Sequence, residues 1–315
     1  MRKLCLLLLA AVVLFTGCAK AAPKEESCFY TFIDSVGQSV VLPEQPKRVA
    51  VLFSSYAQIW TLAGGEICVT VGESVERGFA DTSVTLADDG AGKSIDTELL
   101  LQEEVDFVIA SADISAQVDA CAILRSAGIP CALFRVDTFE EYLLMLEICT
   151  DITGNTEAFD TYGLQVKDEI DGILETVKTY DGERKDILFI RAGSQYSATK
   201  AKRAPDNFVC IMLDELGVHN IADDAEILLD GLSLEEILVQ DPDYIFISTM
   251  GDEQAATSYM MDLFSQEGWR DLSAVQNEDY IFLPKDLFHF KPNHQWADAY
   301  RMLAQILYPE LQFDE

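Results

Sequence analysis

Residues 156–180 read TEAFDTYGLQVKDEIDGILETVKTY. Phe159, Tyr162, Val166, Ile170, Ile173, Val177 and Tyr180 recur at spacings of three and four, the period of one helical face. Such a helix is about 36 Å long, and it lies near the middle of the 315-residue chain. On both sides of it the rhythm is different. Short apolar runs alternate with helix-like segments: Val49–Phe53, Ile67–Val71, Val105–Ala110 and Ala132–Val136 upstream, and Ile187–Arg191, Tyr244–Ser248 and Tyr280–Leu283 downstream. Alternating strand and helix is the pattern of a parallel sheet with helices on its faces. One helix start is explicit: Thr138 with Glu141 three residues on forms a capping box. Ahead of this rhythm, Tyr30–Ile33 and Val40–Leu42 flank a Gly37-containing turn and read as a β-hairpin.

An internal repeat supports two similar lobes. Glu98 and Glu235, Asp106 and Asp243, and Ser111 and Ser248 are each separated by 137 residues. In both copies a helix opens with a glutamate and feeds an apolar strand through an aspartate. A helix start favours an acid through the macrodipole, so both glutamates have a purely local explanation as well.

Composition removes several function classes. The full chain carries 22 basic and 54 acidic residues, a net of −32. So negative a surface repels phosphate backbones, and nucleic-acid binding is not expected. The three histidines, His219, His289 and His294, all lie in the last third, against a His-rich metal site shared between lobes. No metal site and no resident cofactor are expected.

The first seventeen residues read as a signal peptide: Arg2 and Lys3, then an apolar run from Leu4 to Phe15, too short to span a bilayer. The run ends in Leu14-Phe15-Thr16-Gly17-Cys18, similar to a bacterial lipobox, with Cys18 as the lipidated residue; Phe15 departs from the usual leucine. Residues 18–28 are then a lipid-anchored tether, and the chain is expected outside the cytoplasm, anchored to the cell membrane. Without Arg2 and Lys3 it holds 20 basic against 54 acidic residues, a net of −34. Cys28, Cys68, Cys121, Cys131, Cys149 and Cys210 remain, mostly in apolar surroundings, and read mainly as small buried hydrophobes.

Asp89-Gly90-Ala91-Gly92-Lys93-Ser94 is similar to the tail of a phosphate-binding loop, but Ala87 stands where the motif needs its first glycine, and no strand is expected ahead of it. No nucleophile elbow or zinc-protease motif occurs, and nothing proposes an enzyme. Against the acidity, Arg191, Lys200, Lys202 and Arg203 crowd into thirteen positions at the C-terminal end of a strand, where open α/β sheets bind ligands. Tyr196 and Asn207 accompany them. A second cluster holds His289, Phe290, Lys291, Asn293 and His294. A basic, aromatic pocket suits an anionic or metal-chelate ligand. Tyr56 and Trp60, aromatic residues of the first lobe's opening helix, complete the candidate ligand contacts.

Taken in order, these segments resemble the substrate-binding lipoproteins of ABC importers for iron–siderophore complexes, haem and vitamin B12, the helical-backbone class of periplasmic binding protein. The resemblance runs from Phe32-Ile33-Asp34 and Pro46-Lys47-Arg48-Val49, through Leu216-Gly217-Val218 and Trp269-Arg270-Asp271-Leu272, to Trp296 and Leu307-Tyr308-Pro309. It implies an α/β fold of two Rossmann-like lobes with parallel sheets, 29–155 and 183–315, joined by one long helix over 156–182, with the ligand between the lobes. It also implies that Glu98 and Glu235 dock on arginines of a membrane permease served by an ATPase. The expected ligand is a small-molecule metal chelate of the iron–siderophore type, with haem or cobalamin as the alternative. An exported metal-cluster enzyme on a similar two-lobed fold is the rival from another class.

Overall fold

The computed structural model describes residues 28–313; the signal segment 1–17, Cys18 and the tether through residue 27 lie outside the described residues. Strands β1 (Tyr30–Ile33) and β2 (Ser39–Leu42) form the antiparallel hairpin. The first lobe follows, with β3 (Val49–Val51), β4 (Val69–Val71), β5 (Thr85–Asp88), β6 (Phe107–Ser111) and β7 (Cys131–Phe134). They form one parallel sheet in the order β5-β4-β3-β6-β7. Its strands are short and buried along most of their length, as expected of a sheet covered on both faces. The second lobe holds β8 (Asp186–Ala192), β9 (Lys200–Ala201), β10 (His219–Asn220), β11 (Tyr244–Thr249) and β12 (Tyr280–Phe282). Its order is β10-β8-β11-β12, all parallel. β9 departs from the expected all-parallel sheet: it folds back antiparallel on the C-terminal half of β8.

Between the lobes the chain is helical from Thr156 to Val177. Val166, Ile170, Ile173 and Val177 are its buried face, as the spacing requires. The helix stops short of the expected residue 182, because Tyr180 leaves the helical path and packs edge-on against Tyr308 at 4.9 Å. Asp160–Leu164 is a wider π turn, and the carbonyl of Tyr162 within it accepts a hydrogen bond from the Tyr142 hydroxyl at 2.8 Å. Gly163 sits in this turn where a Cβ would stand 2.8 Å from the Leu143 side chain, so glycine lets the two helices approach. The final helix, Trp296–Leu307, packs along Gln165–Val177, and Arg301 reaches Glu169 at 2.7 Å. One buried core runs through all of this, from Phe32 and Val51 through Ile170 to Phe189, Trp296 and Tyr308. Each lobe adds a smaller core of its own on the far side of its sheet.

The repeat at 137 residues extends to backbone detail. Leu100 and Ile237 are fully buried under their helices. Glu104 and Asp241 follow with positive φ, 51° and 42°, turning each chain into its strand. Asp106 then accepts the amides of Lys47 and Arg48, and Asp243 that of Asp186, so each aspartate clamps the start of the neighbouring strand. The Thr138 capping box forms with both of its hydrogen bonds.

Candidate functional site

In open α/β sheets the C-terminal strand ends gather polar loops, and here the two lobes turn those ends toward one cleft. Ser111 ends β6, and Ser248 lies near the end of β11; both line a cavity of about 250 Å³. Arg191, near the end of β8, projects into it. Phe53 and Tyr56 enter from helix Ser54–Leu62 and the residue before it, Asp113 and Asp137 from first-lobe loops, and His289 and Lys291 from the loop after Phe288. A larger hollow of about 630 Å³ lies on the first lobe alone, between Val41–Lys47 and Gly128–Pro130. Its polar lining is Glu44, Gln45, Lys47 and Asp106, of which Asp106 is already held by backbone amides and Gln45 by the Ile152 carbonyl, and no second-lobe residue reaches it, so the smaller cleft is the better ligand site.

The cations of the cleft all come from the second lobe, which also contributes the acid Asp206. Arg191 is half-buried, and its side chain makes no hydrogen bond or ion pair among the described residues. Burial lowers its pKa, yet a guanidinium remains charged at any ordinary pH. His289 has its pKa pushed down to about 4, first by burial and then by Lys285, Arg191 and Arg77, so it is neutral at pH 7. Lys291 is paired across the cleft with Asp137 at 2.6 Å and lies 4.7 Å from the Phe208 ring centroid. The Tyr56 ring is buried, with its hydroxyl donating to the Phe134 carbonyl at 3.0 Å. Burial raises its pKa further, so it is a neutral aromatic wall.

Several contacts among the described residues latch the lobes together. Besides Lys291–Asp137, the Asn293 amide donates to the Ser55 carbonyl at 2.8 Å and to Gln58 Oε1 at 2.7 Å. Arg77, from the first lobe, lays its guanidinium 3.8 Å from the Phe290 ring centroid and 4.6 Å from that of Phe79, while donating to the Ser54 and Ser55 hydroxyls. Arg77 carries no motif and was not singled out by sequence; only the fold brings it to Phe290.

The structure gathers Tyr56, Arg191, Asn207, His289 and Lys291 at the cleft and leaves Trp60, Tyr196, Lys200, Lys202 and Arg203 outside its lining. Trp60 is a core residue: its ring is buried and its indole NH donates to the Glu66 carbonyl at 2.9 Å. The expected basic loop is the edge strand β9. Lys200 faces Arg191 in the β8 register, the Lys202 amide bonds the Phe189 carbonyl, Arg203 is paired with Asp206 at 3.4 Å, and Tyr196 is exposed. Glu98 and Glu235 are exposed in the first turns of helices Thr97–Gln102 and Leu234–Gln240. Asp96, not Glu98, caps the first of these.

The phosphate-loop look-alike does follow a strand, β5, contrary to expectation. It is nonetheless filled from within: the amides of Gly92 and Lys93 donate to the Asp88 carboxylate at 2.6 and 3.1 Å. No group of three or more His, Cys, Asp or Glu among the described residues could hold a metal ion. The six described cysteines are all free, four of them buried.

Two parallel-sheet lobes on a shared helix, closing on a polar cleft, define a two-lobed binding protein. The chain belongs to the periplasmic binding protein family, whose model matches residues 49–287. It is 24% identical over 319 residues to an uncharacterized ABC transporter substrate-binding lipoprotein, YvrC, of Bacillus subtilis (strain 168), covering 96% of each chain. Among solved structures it is similar to the TroA-like periplasmic binding protein FepB of Veillonella parvula, with TM-score 0.70 and 18% identity over 89% of this chain and 90% of that one. It is also similar to the siderophore-binding protein BauB, solved with two acinetobactin molecules and ferric iron, with TM-score 0.69 and 14% identity over 91% and 99%.

Proposed function

We propose that this chain is the extracytoplasmic binding component of an ABC importer, anchored by lipid at Cys18. It captures an anionic metal chelate of the iron–siderophore type and delivers it to a permease, with Glu98 and Glu235 as one docking acid per lobe. It carries out no chemistry of its own; the partner ATPase supplies the energy. The observation that carries the ligand class is Arg191, an unpaired, half-buried cation at the strand ends of a chain of net −34. Leaving such a charge without a partner is costly, and an anionic ligand offsets that cost. The name of the Bacillus relative supports the importer role, and the siderophore in BauB is in keeping with the ligand class.

The cleft as it stands, about 250 Å³, lies below the roughly 300–1,000 Å³ of ordinary ligand pockets. Binding therefore begins with release of the Lys291–Asp137 and Asn293 latches. A haem reading is favoured by one feature, the neutral imidazole of His289, which could serve as an axial ligand.

The test is a thermal-shift and fluorescence panel of ferric siderophores, haem, cobalamin and bare ferric ion. A ferric chelate should stabilise the protein by about 2.7 kcal/mol at 100 times its dissociation constant. Arg191→Ala should weaken it at least tenfold, about 1.4 kcal/mol, with little change in the unliganded melting temperature. Binding of haem alone, with a Soret band lost in His289→Ala, would replace the chelate reading.

A further inference from the structure

Beside each proposed docking acid stands a second feature. Leu101 follows Glu98 by three residues on helix Thr97–Gln102, and Leu238 follows Glu235 by three on helix Leu234–Gln240. Three residues are close to one helical turn, so each leucine shares a face with its glutamate. Both leucines are 41% exposed. The residue just before each, Leu100 or Ile237, is fully buried and fixes the helix on its sheet. An isolated exposed leucine is ordinary and carries no message. Here the same acid–leucine pair recurs at the same turn of corresponding helices, again at an offset of 137. Flanking positions do not match: Thr97 corresponds to Leu234, Leu99 to Glu236 and Gln102 to Val239.

The pairs also share a location. Each helix ends a few residues before a strand of its own lobe, Gln102 before β6 and Gln240 before β11, so it runs back along the sheet with its first turn directed toward the C-terminal strand ends. That is the side on which Ser111 and Ser248 line the cleft. A body that touches both pairs therefore lies across the cleft mouth, where ligand leaves.

We propose that Leu101 and Leu238 are the apolar anchors of the docking surface. Each lobe offers a two-halved membrane permease one acid for a cationic side chain and one leucine for an apolar recess beside it. The proposal rests on the docking role given above to Glu98 and Glu235. A duplicated surface fits a partner with two like halves. A second copy of this chain fits poorly, because acid would meet acid between molecules of net −34. The two residue types divide the work: the glutamates set register and encounter rate, which salt weakens, and the leucines supply short-range affinity, which salt does not screen. Val239, 75% exposed, widens the apolar face of the second lobe.

The test uses the full chain in its own cells, with the photo-crosslinker p-benzoylphenylalanine replacing Leu101 or Leu238. Leu144, 53% exposed on another helix of the first lobe, is the control position. Illumination should link positions 101 and 238 to the transmembrane subunit of an ABC importer, identified by mass spectrometry, and should link position 144 to none. In solubilised membranes, Leu101→Ser with Leu238→Ser should lower affinity for that subunit by about a hundredfold, with melting temperature and ligand affinity unchanged. Glu98→Arg with Glu235→Arg probes the docking role itself. If charge reversal abolishes capture while the leucine variant stays within twofold, the anchors are overturned and docking stands. If neither variant changes capture, or the two crosslinks reach no permease, docking falls with them. Crosslinks to a second copy of the chain would make the surface a self-interface and overturn the proposal.

Discussion

The two lobes agree in architecture and differ in chemistry. Both hang a helix on a buried aliphatic residue, turn through a positive-φ acid, and clamp a neighbouring strand with an aspartate. Both present a serine to the cleft. Around that common frame both lobes supply rings and acids, Phe53, Tyr56, Asp113 and Asp137 from the first and Phe208, Phe288 and Asp206 from the second, but the basic side chains Arg191, His289 and Lys291 all come from the second. The repeated residues are those that make a βα unit stand. The residues that would choose a ligand lie on loops and strand ends, where the repeat places no demand. The asymmetry has a functional reading: cations from the second lobe hold an anion, and aromatic rings from both lobes close on it.

The sharpest structural difference is a glutamine. Gln117 is buried; its side chain accepts the Ser111 amide at 2.7 Å and donates to the carbonyls of Leu52 at 2.7 Å and Gly92 at 3.1 Å. Its counterpart at the 137-residue offset, Gln254, is exposed. Gln117→Ala strands three buried backbone groups and should cost about 2–4 kcal/mol, whereas Gln254→Ala should stay within about 0.5 kcal/mol. Chemical denaturation of both variants measures this. Equal effects would mean that the lobes are braced alike and that the comparison fails.

A smaller effect is expected at the seam. Asp137 is paired with Lys291, so it competes with any anionic ligand for that cation. Asp137→Asn should lower the melting temperature of the free protein by a few degrees, and should tighten a ferric chelate several-fold, about 1 kcal/mol. Isothermal titration decides; unchanged affinity would remove Asp137 from the binding equilibrium and leave it a plain strut.

The smallest effect concerns pH and belongs to the second lobe alone. His219 sits between Asp186 at 2.7 Å and Asp224 at 2.9 Å, and its pKa is raised, chiefly by the hydrogen bond to Asp186. A raised value means that the folded state holds the proton more tightly than the unfolded one. The stabilisation is complete below the ordinary histidine value of about 6.5 and is lost as pH rises through the folded value. For a partly exposed pair it amounts to a few tenths of a kcal/mol. His219→Gln should flatten the stability profile on the alkaline side of pH 6.5, and a profile unchanged by the substitution would dismiss the pairing.

Much of the frame was legible in the chain. Buried parallel strands are nearly continuous apolar runs, and the helix beginning at Thr156 shows its buried face in its spacing, so burial alone marks them. Strand β5, Thr-Leu-Ala-Asp, was not legible, because only Ala87 of it is buried and the Asp88 side chain serves the following loop. β9 was also missed: Lys200 and Ala201 form a strand only because β8 offers an edge there. At the cleft, Tyr56, Arg191, His289 and Lys291 could be picked out as rings and charges among apolar neighbours. Asp137 and Arg77 could not, since their meaning comes from Lys291 and Phe290, 154 and 213 positions away along the chain.

The core that runs through both lobes has a consequence for how the chain comes to be folded. Phe32, in the first hairpin, and Tyr308, just after the last helix, belong to one buried cluster with the connecting helix between them. The last helix, Trp296–Leu307, packs along Gln165–Val177 and shares this cluster, so the connecting helix gains that partner only when the end of the chain is in place. The molecule should melt as a single cooperative unit in calorimetry despite its two sheets.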